Sequence, residues 1–185
     1  MTPLAMGLIV ALVVVVLAFA AYIVWKEWRT KKLRERFGPE YSRTVKESGR
    51  TRAESRLKAR EHRVEKFHIK PLTREQKTHY LGTWQSVQAE FVDDPRQAVR
   101  RADSLLGDVM AARGYPVSDF EQRSADLSVD HPQVVQNYRA GHSIAVRHER
   151  GEAGTEELRQ AMIHYRTLFD ELIAESEPAR APAPN

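Results

Sequence analysis

The chain contains no cysteine, so it has no disulfide framework, no zinc ribbon, no thiolate nucleophile and no thiolate-held iron–sulfur centre. Glycine is scarce, with nine in 185 residues. Most glycines read as helix ends, which leaves short connections and little loop from which to build an active site. The phosphate-cradling patterns G-x-x-x-x-G-K-[ST] and G-x-G-x-x-G are missing, as is the G-x-S-x-G of a nucleophile elbow. None of the seven histidines, His62, His68, His79, His131, His142, His148 and His164, stands three or four residues from another, and there is no H-E-x-x-H. Within the helices of the distal domain no histidine has a glutamate three residues before it, as a helical carboxylate-bridged di-metal site requires. The aspartates Asp93, Asp94, Asp119, Asp126 and Asp130 do not fit an EF-hand loop. They cluster where helices are expected to start, and there a carboxylate stabilises the helix dipole by about 0.3–1 kcal/mol. No catalytic residue, metal ligand or cofactor follows from the sequence.

Charge is missing from one long stretch. From Leu4 to Trp25, 22 consecutive residues carry no Asp, Glu, Lys or Arg. As a helix this run would be about 33 Å long, against about 30 Å of bilayer hydrocarbon, which is enough for one crossing. Its valines are poor helix formers in water, but lipid offers the backbone no other hydrogen-bond partner. Tyr22, Trp25 and Trp28 mark its C-terminal end as a membrane–water interface. No Lys or Arg precedes the run, whereas Lys26, Arg29, Lys31, Lys32, Arg34, Arg36 and Arg43 follow it. The positive-inside rule then places the N-terminus outside and the bulk of the chain in the cytoplasm. Lys26, Arg29, Lys31 and Lys32, with Arg34 and Arg36 at the outer limit, are the residues near enough to touch anionic inner-leaflet lipid, where each is worth about 1 kcal/mol within a Debye length of about 8–10 Å. Gly7 and Ala11 have the spacing of a helix-dimer motif. A competing reading is a cleaved export signal, because Ala18-Phe19-Ala20 has the small-x-small form of a processing site. Against it stand the missing basic n-region, the length of the run and the basic segment directly after it.

The net charge of +4 conceals two opposed parts. Residues 26–70 hold 16 Lys and Arg against 7 Asp and Glu, a net of +9, whereas residues 71–185 hold 13 against 18, a net of −5. A basic neck therefore precedes an acidic domain. In the neck Leu33, Phe37, Tyr41 and Val45 recur every four residues, interrupted by Gly38-Pro39, and Gly49 makes a second break. From Thr51 to Lys66 the chain is strongly helix-forming, with Arg50, Glu54 and Lys58 at ion-pair spacing and few apolar residues beyond Leu57, Val64 and Phe67. It reads as a solvated stalk.

Beyond Pro71 the pattern predicts a compact all-α domain, an antiparallel bundle of four to five helices. Thr73 and Gln76 form a capping box ahead of Tyr80, Trp84, Val87 and Phe91. Asp93-Asp94-Pro95 opens a second helix that stops at Gly114, and Ser118 or Asp119 opens a third. Asp130-His131-Pro132 repeats the cap-and-proline device before Val134, and Thr155 caps the last helix, which carries Leu158, Met162, Tyr165, Leu168, Phe169 and Leu172. The chain thus divides into an anchor (1–25, span 4–25), a neck (26–70), a bundle (71–175) and a tail (176–185) with too little apolar content to fold alone. The Gly/Pro-punctuated connection 113–122 offers a candidate partner surface in Arg113, Tyr115, Asp119, Phe120 and Gln122; the bland alternative is that its aromatics seal the bundle end.

The arrangement of a valine-rich span, FGPEY, a basic helix, FVDDP, ARGYPVSDFEQ, LSVDHP and HYRTLF resembles a family of bacterial single-pass membrane proteins with no assigned activity. The resemblance implies the architecture and a bacterial source, and it carries over no functional residue. The expected function is therefore non-enzymatic: a bacterial inner-membrane protein whose cytoplasmic helical domain binds a protein partner or self-associates. Two alternatives remain open, a module that binds anionic lipid or nucleic acid through the basic neck, and an exported protein. The acidic charge of the distal domain, where Trp84, Tyr80 and Tyr138 sit at core spacing, argues against nucleic acid there.

Overall fold

The computed structural model describes residues 3–174, with side chains from residue 12 onward, and over that range the chain is all-helical. It divides into two compact units, Met1–Leu57 and Lys58–Asn185. The division falls inside the basic neck, so residues 26–57 and 58–70 belong to different bodies.

The first unit is built from α1 (Pro3–Phe37), α2 (Pro39–Ser48) and the opening part of α3 (Arg50–Val64). Gly38 takes a positive φ of 47° between α1 and α2, and Pro39 occupies the first helical position. The expected apolar stripe is largely buried, with Leu33, Phe37 and Tyr41 enclosed and Val45 half-buried. Ala53 and Leu57 of α3 are fully buried as well, so this part of the neck is a packed element and not a solvated stalk. A carboxylate ties it together. Glu54 Oε1 accepts from Thr30 Oγ1 at 2.9 Å, Tyr41 OH at 3.1 Å and Arg50 Nε at 3.2 Å. Arg50 also donates to Thr30 Oγ1 and Glu27 Oε1.

Burial alone would raise the Glu54 carboxyl, but the bonds from Thr30, Arg50 and Tyr41 outweigh it and hold the group below the ordinary glutamate value. A depressed acid adds stability that is complete above its unfolded value near 4.3 and is lost as pH falls through the folded value. Glu54→Gln is therefore expected to loosen this unit by about 1 kcal/mol, a modest figure because the Arg50 side is solvated. The variant should also flatten the acid limb of stability, read as amide exchange of residues 30–57 between pH 3 and 7. Unchanged exchange would show that the carboxylate does not organise the unit.

The second unit holds the end of α3 and five further helices: α4 (Arg74–Asp93), α5 (Pro95–Arg113), α6 (Phe120–Asp130), α7 (Val135–Glu149) and α8 (Thr155–Ala174). Three starts follow the sequence signals. Thr73 and Gln76 bond reciprocally as a capping box, at 3.2 and 2.9 Å. Asp94 accepts from the Gln97 amide before Pro95, and Asp119 from the Gln122 amide. Two starts differ from expectation. His131 closes α6, and α7 begins at Val135 without a side-chain cap. The Asp130 carboxylate is occupied by the Tyr115 hydroxyl, and the His131 carbonyl receives the Val134 and Val135 amides instead. Thr155 is the first residue of α8 and not its cap; Glu157 reaches back to the Gly154 amide.

The core lies around α5, which packs against α4 and α8, while α8 also packs against α7. Leu105, Leu106, Val109 and Met110 of α5 meet Leu158, Leu168, Phe169 and Leu172 of α8 in one buried cluster. Trp84 stacks on Phe169 with ring centroids 4.7 Å apart. Phe91 and Phe120 lie at its margin, half-buried.

Gly114 ends α5 in the left-handed region, at φ 100°, with its amide bonded to the Ala111 carbonyl. The segment before α4 crosses this turn, the Lys70 amide donating to the Arg113 carbonyl at 2.8 Å. A Cβ on Gly114 would sit 2.3 Å from the His68 carbonyl oxygen. Gly114→Ala thus combines a strained φ with a backbone clash. A loss of at least ~2 kcal/mol in a denaturant titration is expected, and a loss under 0.5 kcal/mol would contradict the close crossing.

Candidate functional site

The expected membrane-interface residues lie on α1, an unbroken helix from Pro3 to Phe37. Thr30, Leu33 and Phe37 form its buried face. Before that face begins, Leu12–Val24 are exposed around the whole circumference. Tyr22, Trp25 and Trp28 are exposed, the first two with ring centroids 6.4 Å apart. The cations follow one turn behind: the Arg29 guanidinium lies 4.3 Å from the Trp25 ring centre and the Lys32 ammonium 5.8 Å from that of Trp28. Lys26 and Lys31 are exposed, with Lys31 facing Glu35 at 3.9 Å. Among the described residues no helix is long and apolar enough to cross a membrane. The uncharged run begins at Leu4, and its first side chains, Gly7 and Ala11 included, lie outside those described, as does the tail 176–185.

The candidate partner surface looks different in three dimensions. Arg113 is buried and donates to the Leu172 carbonyl in the last turn of α8, where a cation suits the helix dipole. Tyr115 is buried too, its ring 6.3 Å from Phe67 and its hydroxyl on Asp130. Asp119 is a cap, and Phe120 stacks on the His142 imidazole at 3.5 Å. Gln122 donates to Asp126 Oδ1 at 2.7 Å, and Arg63 donates to the same oxygen at 3.1 Å. Burial raises the Asp126 carboxyl, and these two donors only partly offset the effect. The expected surface therefore loses Arg113 and Tyr115. Their side chains turn inward because the Gly114 turn needs a seal against residues 67–70. Pro116, Val117 and Asp119 remain on the outside.

A different constellation emerges within the bundle. Asp103 of α5, Arg123 of α6, Tyr138 and His142 of α7 and Tyr165 of α8 converge from four helices. Arg123 Nη2 donates to Asp103 Oδ2 at 3.2 Å, and its guanidinium lies 6.0 Å from the Tyr138 ring centre. The Tyr138 and Tyr165 rings are 6.0 Å apart and fully buried. Burial first, and the nearby Asp103 charge second, raise both phenols far above the ordinary tyrosine value. Neither hydroxyl meets hydrogen-bond geometry with Asp103. Burial lowers His142, with Asp103 opposing. At neutral pH both phenols therefore stay protonated. Two helix-interior glycines make room for it. A Cβ on Gly107 would meet Arg123 Nη1 at 2.7 Å, and one on Gly141 would meet Tyr165 Cε1 at 2.8 Å. Those mid-helix glycines are the sequence signal that marks the cluster, since glycine there is otherwise a cost.

Among the described residues no group of three His, Cys, Asp or Glu is placed to hold a metal ion. His164 bonds Asn137 at 3.0 Å, and His131 is enclosed 3.7 Å from Glu171. No family model, curated protein or solved structure matches the chain.

Proposed function

We propose that this is a bacterial inner-membrane protein held by a single N-terminal span, with its N-terminus outside and a non-enzymatic helical domain in the cytoplasm that binds a protein partner or self-associates. The observation that carries the reading is the helix surface over Leu12–Val24, apolar on every side and covered by none of the described residues. Each large apolar side chain gains about 1.5–3 kcal/mol on leaving water, and a patch of this extent does not persist on a soluble monomer. Lipid satisfies it, and the Trp25–Arg29 and Trp28–Lys32 pairs suit the headgroup layer that would follow. The unbroken run from Leu4 and the resemblance to bacterial single-pass proteins support the same reading.

Contact with anionic lipid falls to Lys26, Lys31 and Lys32, which are exposed. Further along, several of the basic residues have partners within their own units. Arg50 is held by Glu27 and Glu54, and Arg63 by Asp126, while Arg60 donates to Ser128. The carboxylates on Arg50 and Arg63 lower the charge that α3 can offer a nucleic acid, because a neutralised arginine releases few counterions. In the bundle, the polar groups of the Asp103 cluster face one another, which supports a structural role for them over a catalytic one.

The absence of native cysteine makes a direct test available. Single cysteines at Thr2 and at Lys66, in otherwise unchanged chains, are treated with a membrane-impermeant maleimide on intact spheroplasts. Labelling at position 2 alone is expected. Labelling at position 66 with none at position 2 would reverse the orientation, and labelling at both would refute the span.

A further inference from the structure

One side of α8 carries Arg159, Ile163, Arg166 and Asp170, all exposed. Steps of four, three and four residues place them on a single stripe, the spacing of a helix-packing seam. The stripe borders a shallow apolar groove of about 200 Å³, whose other wall is Trp84, Gln88 and Phe91 of α4. That volume is below the ~300 Å³ at which small-molecule sites begin, so side chains of another chain suit it better than a cofactor. Leu81, three residues before Trp84, and Val92, four after Gln88, continue the same side of α4. Among the described residues of the second unit the exposed large apolar side chains are Leu81, Val92, Val117 and Ile163, and all but Val117 stand on this α4–α8 face. Clustering of that kind marks an interaction surface.

The charges of the stripe identify the occupant. Two copies of α8 laid antiparallel, about a twofold axis midway between Ile163 and Arg166, bring Arg159 opposite Asp170 of the second copy. Ile163 then packs on the aliphatic stem of Arg166 of that copy, and symmetry makes each contact twice. A partner of one sign would set either the arginines or the carboxylate against its like, whereas a second copy matches both. The two groups are also prepared for the contact. Glu156 takes Arg159 Nε at 3.1 and 2.8 Å and Nη2 at 2.7 Å, which orients the guanidinium and leaves Nη1 to donate outward. Asp170 meets Arg166 of its own chain at 3.4 Å, a long and solvated contact.

We infer that a second copy of this chain docks on the α4–α8 face, its α8 antiparallel to the first, with Arg159 of each copy on Asp170 of the other. The inference rests on the self-association named in the proposed function and gives it a surface; it does not depend on the membrane span.

The lack of native cysteine allows the register to be read by cross-linking. Arg159→Cys and Asp170→Cys are placed in separate, differently tagged full chains, co-expressed, and treated in cells with bis-maleimidoethane. Mixed chains are expected to cross-link at least about tenfold more than either chain alone, because like residues stand about 16.5 Å apart along the axis at 1.5 Å per residue. Affinity is read by energy transfer between donor- and acceptor-labelled full chains in detergent micelles. Arg159→Asp alone, or Asp170→Arg alone, sets like charges opposite one another twice and should weaken association roughly tenfold or more. A mixture of the two variants regains both bridges and should associate within about threefold of the parent. Both positions are exposed, so circular dichroism should show the fold unchanged.

Equal cross-linking from mixed and like chains overturns the inference, as does a mixture of reversed chains that associates no better than either alone. If the parent still associates in those cases, self-association stands and this surface is the wrong one. A parent that is monomeric at every concentration overturns the surface and the self-association together.

Discussion

Replacing Val14 and Leu17 with Asp is expected to move the protein from the alkali-resistant membrane pellet into the soluble or degraded fraction. Both positions lie near the middle of the uncharged run and are exposed, at 58% and 64%. An aspartate at a helix centre costs about 2.5–3.5 kcal/mol on insertion, whereas each apolar residue it replaces contributes about −0.3 to −0.6. The pair therefore shifts insertion by roughly 6–8 kcal/mol, four decades or more at 1.4 kcal/mol per decade. Val92→Asp serves as control. That valine is 83% exposed on α4, and the change should leave fractionation and folding as they are. If the double variant pellets like the parent, hydrophobic insertion of α1 is not what retains the protein.

The second large effect is expected inside the bundle. Asp103→Leu leaves Arg123, whose side chain is 18% exposed, without its counter-charge. Removing one member of a largely buried pair costs about 3–5 kcal/mol. The lower end applies because a quarter of the Asp103 side chain reaches solvent. Out of a typical 5–15 kcal/mol of total stability this is a large fraction, visible as a clear fall in the denaturation midpoint. Replacing both Asp103 and Arg123 by Leu should recover most of the loss, because two apolar residues need no partners. Recovery by the double variant, with partner binding intact, identifies the cluster as a structural lock. A stable double variant that no longer binds its partner would instead make the cluster part of the recognition chemistry.

Much of the fold was legible because its signals are local. The Thr73–Gln76 box, Asp94 before Pro95 and Asp119 before Phe120 act within four residues of the backbone they cap, and each appears where the sequence puts it. Asp130 failed as a signal for a long-range reason. Its carboxylate bonds Tyr115, fifteen residues away, and nothing near Asp130 reveals that. The neck shows the same limit. Its sparse apolar content suggested a solvated stalk, yet Leu57 is fully buried and Glu54 gathers Thr30 and Tyr41 from the two preceding helices.

The candidate sites divide along similar lines. Exposure of Tyr22, Trp25, Lys26 and Trp28 follows from their place ahead of the buried stripe of α1, and that of Lys31 and Lys32 from their place beside it. Arg113 and Tyr115 looked like surface residues because a Gly/Pro-rich connection is normally outside. They are enclosed because the extended segment 67–70 crosses that connection, a contact between residues more than forty positions apart. Gathering Asp103, Arg123, Tyr138 and Tyr165 from four helices is likewise a tertiary event. Gly107 and Gly141 hint at it, since both sit mid-helix where a side chain would collide with that group.

The central claim is that the uncharged N-terminal run stays in the mature chain and lies within the bilayer. Intact mass spectrometry of the protein recovered from alkali-washed membranes of its native cell tests both parts at once. A membrane-bound species that retains residues 1–25, with no more than the initiator Met1 removed, is the expected result. A species beginning near Ala21, or a full-length chain found only in the wash, would contradict the account.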